Sequence, residues 1–118
     1  MNCLNQIILE GNLIRDVEVK DLVTGSKFAQ FTVAVNRTYK KSDGETAIEV
    51  SYFDIKAYGV MAESLADKLK KGRGVRVVGR LKQERGNDDS GRAYSRVFVV
   101  AEHIEIKPFT EKEGEKYL

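Results

Sequence analysis

A chain of 118 residues is expected to make one domain. Its 42% hydrophobic and 32% charged residues fit a folded, soluble domain, and no apolar run reaches the ~18–20 residues of a membrane span. The net charge of +2 says little, but eight basic residues stand against one acid between Lys68 and Arg85, a local excess that suits a polyanion or simply a solvated face.

The N-terminus, Met1-Asn2-Cys3-Leu4, has neither the charged nor the apolar region of a secretion signal. Cys3 is the only cysteine, which excludes an internal disulfide and suits a reducing cytoplasm. From Leu4 to Leu13 the residues alternate: Ile7, Leu9 and Leu13 share one face and Gln6, Ile8, Glu10 and Asn12 the other. This predicts a long first strand, bent at Gly11 as a small closed barrel requires. Apolar Ile8 on the otherwise polar face, beside an available strand edge, predicts a C2 dimer through this strand. Arg15 to Lys20 continues as an edge, and Val23-Thr24-Gly25-Ser26 reads as a turn.

Phe28 to Arg37 is the second strand, with Phe31, Val33 and Val35 on one face. After it, Thr38 to Gly44 reads as a long mobile hairpin that carries Tyr39 beside Arg37, Lys40 and Lys41. The third strand, Val50 to Gly59, separates into two faces. Phe53, Ile55 and Ala57 suit a core. Tyr52, Asp54, Lys56 and Tyr58 interleave rings with a cation, which a single-stranded nucleic acid can use for base stacking and phosphate pairing. The same tyrosines also suit any half-buried pleat, so this strand alone leaves both readings open.

Met61, Leu65, Ala66 and Leu69 then fall on one face of a helix over Val60–Lys71, closed by Gly72 as C-cap. Val75 to Lys82 is a fourth strand, with Val75, Val77, Gly79 and Leu81 inward and Arg76, Arg80 and Lys82 outward. Arg85 to Arg92 reads as a second long loop, and Tyr94 to Lys107 as a fifth strand that contributes Val97 and Val99 to the core. Pro108 ends it, and 108–118 is expected to be a flexible C-terminal segment. The order is three strands, a helix and two strands. It predicts an all-β class: a five-stranded OB-fold Greek-key barrel over residues 1–107, with one helix between strands 3 and 4.

Three stretches in this order resemble the bacterial single-stranded DNA-binding protein family. They are Asn5-Gln6-Ile7-Ile8-Leu9-Glu10-Gly11-Asn12-Leu13 with Arg15-Asp16-Val17-Glu18; Gly25 through Phe28 to Arg37; and Tyr52 to Gly59 with Leu69-Lys70-Lys71-Gly72 and Val75 to Leu81. The resemblance covers about residues 4–107. It implies a cytoplasmic, nucleoid-associated homotetramer that binds and protects single-stranded DNA without sequence preference during replication, recombination and repair. It implies no catalysis and no cofactor. It also implies that Tyr39, Tyr52 and Tyr58 stack bases, and we expect Arg37, Lys40, Lys56, Arg76, Arg80 and Lys82 to follow the phosphates.

There are departures. The family usually has tryptophans at the hairpin and third-strand positions, and this chain has none; its loop aromatic after the fourth strand falls at or near Gly86; and Asp54 adds a negative charge to the site. The family ends in an acidic, phenylalanine-terminated tip that recruits repair and replication proteins; the sequence here stops at Glu115-Lys116-Tyr117-Leu118, so either the tail is cut off or this member lacks it, and recruitment of those proteins stays open. Two other readings use the same residues: a dimeric primosome-type adaptor, and an RNA-binding module, since stacking tolerates either sugar. An enzyme fits less well. His103 and Cys3 form no spaced metal-ligand set, His103 reads as a structural residue, and Lys71-Gly72-Arg73-Gly74 lacks the spacing of a phosphate loop.

Overall fold

The computed structural model describes residues 2–108. The segment expected over 108–118 lies, beyond Pro108, outside the described residues. Six strands and one helix follow the chain: β1 (Ile7–Leu13), β2 (Glu18–Asp21), β3 (Lys27–Lys40), β4 (Thr46–Tyr58), α1 (Val60–Leu65), β5 (Gly74–Asn87) and β6 (Ala93–Ile106). The sheet runs β1-β5-β6-β4-β3-β2, and β1 returns to pair with β3 at Asn12–Ala34 and Leu13–Val33. Five strands therefore close into a barrel and β2 hangs on the outer edge of β3. All pairings are antiparallel except β4 with β6. Among the described residues no helix is long and apolar enough to cross a membrane.

Closure depends on Gly11. There β1 leaves β5 and turns towards β3, and a Cβ on Gly11 would lie 2.5 Å from the carbonyl oxygen of Ala34. A barrel this small needs such bends, because one strand must serve two neighbours. The core is aliphatic: Leu13, Val33, Ile55, Val75, Val77 and Val99 are all at most 2% exposed, and Phe31, Ala29, Ala57 and Ala101 complete it. Leu65, Leu69 and Ala62 seal one end, with Met61 packed partly against them. Phe53 and Val35 are half-buried at the barrel rim.

Leu81 and Val97, expected in the core, are 44% and 59% exposed. Both keep the inward pleat, since Leu81 pairs with buried Val99, but β5 and β6 continue past the rim as a free hairpin and carry these residues out of the barrel. The hairpins are longer, and their loops shorter, than expected: residues 41–45 join β3 to β4, and residues 88–92 join β5 to β6. The second turn is held by Asp88, whose carboxylate accepts from the Ser90 hydroxyl at 2.6 Å, the Arg92 amide at 2.9 Å and the Ser90 amide at 3.0 Å. These bonds hold its pKa below the usual carboxylate value. The helix stops at Leu65 rather than Lys71. Leu69 and Gly72 are instead tied to β1 and its exit, the Leu69 carbonyl accepting from Val17 and the Gly72 amide donating to Leu13.

The surface where β1, β5 and β6 meet carries an ion-pair network. Arg76 bonds Glu10 at 2.7 Å and Glu105 at 3.1 Å, and Lys107 bonds Glu10 at 2.9 Å. Lys107 first and Arg76 second hold the Glu10 carboxyl below its usual value. Glu10 thus loses its proton more readily folded than unfolded. Its contribution to stability is present above about pH 4.5, the ordinary value, and is lost as the pH falls through the lowered one. We expect Glu10→Gln to flatten the low-pH limb of the melting-temperature profile and to leave its neutral part little changed, because the pairs are exposed. Thermal melts from pH 3 to 7 at low and high salt check this.

Candidate nucleic-acid interface

β4 has one pleat in the barrel and the other in solvent. Ile55 and Ala57 are fully buried and Phe53 is half-buried, whereas Tyr52 and Tyr58 are 63% and 42% exposed. The period-2 separation read from the sequence therefore holds, and its register is correct. Across β3 the outward partners of Tyr58, Lys56, Asp54 and Tyr52 are Phe28, Gln30, Thr32 and Ala34. Phe28 stacks on Tyr58, with ring centroids 6.1 Å apart and planes at 28°. This pair escaped the sequence reading, because which residue of β3 stands opposite Tyr58 depends on the register of the two strands. Small Ala34 leaves the faces of Tyr52 open. The Thr32 hydroxyl donates to Asp54 at 2.7 Å, which keeps that carboxylate against the sheet.

Tyr39 and Arg37 lie side by side on the β3–β4 hairpin, as expected, but not on the pleat of Tyr52. They belong to the pleat of β3 that carries Phe31 and Val33 inside the barrel, opposite to the pleat facing Tyr52. Both are exposed because the hairpin has left the barrel there. Arg37 sits over the Tyr39 ring at 5.3 Å and pairs with Glu49 at 3.3 Å. Lys40 is on the Tyr52 pleat, and Val50 and Ile48 continue that pleat along β4, 44% and 70% exposed.

The cations divide into two groups. Arg80, Val100 and Lys56 stand in one row across β5, β6 and β4, and Lys82 pairs with Phe98 one step along. Arg80, Lys82 and Lys40 form no ion pair among the described residues. Lys56 is less free: its ammonium lies over the buried Phe98 ring at 4.3 Å and 3.9 Å from Glu84. Arg76 is not brought to this face. It lies in the network with Glu10 and Glu105, on the β1–β5–β6 surface. His103, read as a structural residue, is exposed on the outer pleat opposite Val78. Among the described residues no cluster of three or more histidine, cysteine, aspartate or glutamate side chains could hold a metal ion.

A closed five-stranded barrel with a short helix before β5, and an outer face of exposed rings and cations on β3–β4, is a small OB-fold binding domain. A family model, the single-strand binding protein family, matches residues 4–107, and the chain belongs to that family. The chain is 41% identical over 102 residues to a single-stranded DNA-binding protein of Helicobacter hepaticus, a match over 86% of this chain and 60% of that protein. It is 40% identical over 103 residues to the Aquifex aeolicus protein of the same description, covering 87% and 69% of the two. Thus it spans about 60–70% of these relatives' length. Among solved structures, a deletion mutant of the single-stranded DNA binding protein from Thermus aquaticus superposes with a TM-score of 0.81 at 27% identity, over 89% of this chain and 51% of that one. A Plasmodium falciparum single-stranded DNA-binding complex shares the fold, with a TM-score of 0.82 at 24% identity over 92% and 98% of the two chains.

Proposed function

We propose that this chain binds single-stranded DNA without sequence preference and protects it during replication, recombination and repair. The observation that carries the reading is the outer pleat of β4: Tyr52 and Tyr58 are exposed on a strand whose other pleat is core. A protein gains nothing in its own packing by exposing a ring such as Tyr52, whereas each base offers a face to stack on it. Lys40, Arg80 and Lys82 supply charge for the backbone, and Lys56 does so once phosphate replaces Glu84. No chemical step is involved, in keeping with a family of non-catalytic binding proteins.

Assembly belongs to the same proposal. β1 pairs with β5 along Ile7–Asn12 but with β3 only at Asn12 and Leu13, so the other edge of Ile7–Gly11 is open, with Ile8 63% exposed beside it. A second copy pairing there makes a C2 dimer, and two dimers make the tetramer the family resemblance implies. The protein would work in the cytoplasm, at the nucleoid. Titration with oligo-dT, followed by tyrosine quenching with mass measured on the same sample, tests both parts. Saturable quenching by a tetramer supports them; no quenching, or a monomer at micromolar concentration, defeats the corresponding part.

The division of the cations makes a separate prediction. Lys82→Ala should weaken binding to all sequences alike and lower the salt slope by roughly 0.7, the value for one phosphate contact on a single strand. Arg76→Ala should leave the slope unchanged, because that guanidinium is held by Glu10 and Glu105 away from the tyrosines. Binding isotherms at four or five salt concentrations distinguish the two variants.

A further inference from the structure

The β5–β6 hairpin has an aromatic surface that the strand order alone does not suggest. Gly86 pairs in register with Tyr94. A Cβ on Gly86 would lie 2.7 Å from the Tyr94 hydroxyl oxygen, 2.9 Å from Cζ and 3.0 Å from Cε1, so the ring lies flat across the glycine. Any side chain at position 86 would push it away. The Arg96 guanidinium sits over the same ring, 5.1 Å from its centroid. Tyr94, Arg96 and Phe98 share one pleat of β6, and that pleat reaches the β4 face: Lys56 lies on Phe98, and Arg96 lines a cleft with Lys56, Asp54 and Gln30. The hairpin surface and the Tyr52–Tyr58 surface are therefore continuous.

We infer that Tyr94, laid over Gly86, is a further base-stacking platform for single-stranded DNA, with Arg96 as its cap. The inference rests on the proposed function and adds a residue to it. In the free protein the guanidinium covers the ring. When a base arrives it takes that place by stacking, and Arg96 turns to the neighbouring phosphate. The exchange keeps both groups partnered: the ring trades a cation for a base, and the cation trades a ring for an anion. Glycine at position 86 is what permits it, because the ring can lie down only where the facing strand has no side chain. With no side chain at position 86, β5 offers no ring there, and Tyr94 of the partner strand supplies one.

The chain contains no tryptophan, so Tyr94→Trp places a single indole reporter at this spot. Labelled oligo-dT followed by anisotropy reports binding by the parent and every variant. The inference expects tight binding by Tyr94→Trp with strong quenching of its emission at saturation. It also expects Tyr94→Ala to bind roughly 5- to 150-fold more weakly, Tyr94→Phe to bind within about twofold of the parent, and Arg96→Gln to lower the salt slope by roughly 0.7. If the parent binds oligo-dT but the Tyr94→Trp emission is unchanged at saturation, this inference fails and the proposed function stands. A parent that does not bind removes both. Should Tyr94→Ala unfold, the indole reporter alone decides.

Discussion

Tyr52→Ala is expected to bind oligo-dT roughly 5- to 150-fold more weakly than the parent at fixed salt, the loss of about 1–3 kcal/mol that one stacked base represents. The dependence of affinity on salt should not change, since no phosphate contact is removed. Nor should the fold suffer much: the ring is 63% exposed and faces only Ala34 across the sheet, and surface substitutions of this kind usually fall within about 0.5 kcal/mol. If the tyrosine merely covered the sheet, the opposite pattern would appear, a lower melting temperature with affinity intact. Tyr58→Ala is a poorer probe, because Phe28 stacks on that ring and its removal disturbs both packing and binding. A stable Tyr52→Ala protein that bound as well as the parent would end the stacking role of this strand.

The sequence revealed which pleat faces inward on β3 and β4, because those strands alternate without interruption through the barrel. Phe31, Val33, Ile55 and Ala57 were accordingly legible as core, and Tyr52 and Tyr58 as surface. What alternation does not encode is where a strand leaves the barrel. Leu81 and Val97 keep the right pleat and are exposed, and Tyr39 is exposed on the pleat that is core further down β3. β6 hides a second signal. Glu102 is an extra residue opposite the Val78–Gly79 step, so the inward positions change from Val99 and Ala101 to Ile104 and Ile106. A reading with one fixed period cannot follow that change of parity. Ion pairs were illegible for a related reason. Arg76 and Arg80 look alike on β5, four residues apart on the same pleat, yet only the first meets carboxylates from two neighbouring strands. Partners across a sheet depend on register, and register is a property of the closed barrel.

Gly79 is the position where that register is most exposed to test, and Gly79→Ala should destabilise the domain by about 1–3 kcal/mol, the usual cost of overpacking. A Cβ there would lie 2.1 Å from the Val100 carbonyl oxygen and 3.0 Å from its carbon. Both atoms are backbone, so no side chain can swing aside. The glycine is not needed for its dihedral freedom, since its φ is not among the positive ones; it is needed for the space. Two strands approach closely here because the β6 bulge draws Val100 and Ala101 against β5. To admit a methyl group, β5 and β6 must separate beside the row of Arg80, Val100 and Lys56. The damage should therefore reach binding as well as stability. We expect a melting temperature lower by roughly 4 °C for each kcal/mol lost, together with weaker oligo-dT binding measured well below the transition. Gly44→Ala is the contrasting variant. Its φ of 88° strains any other residue, but nothing lies within 4 Å of a Cβ, and it sits in the β3–β4 turn away from the barrel. It should cost about 1 kcal/mol and leave the salt slope intact. A Gly79→Ala protein that melted with the parent would show that β5 and β6 yield freely at the bulge, and the steric account of that glycine would be wrong.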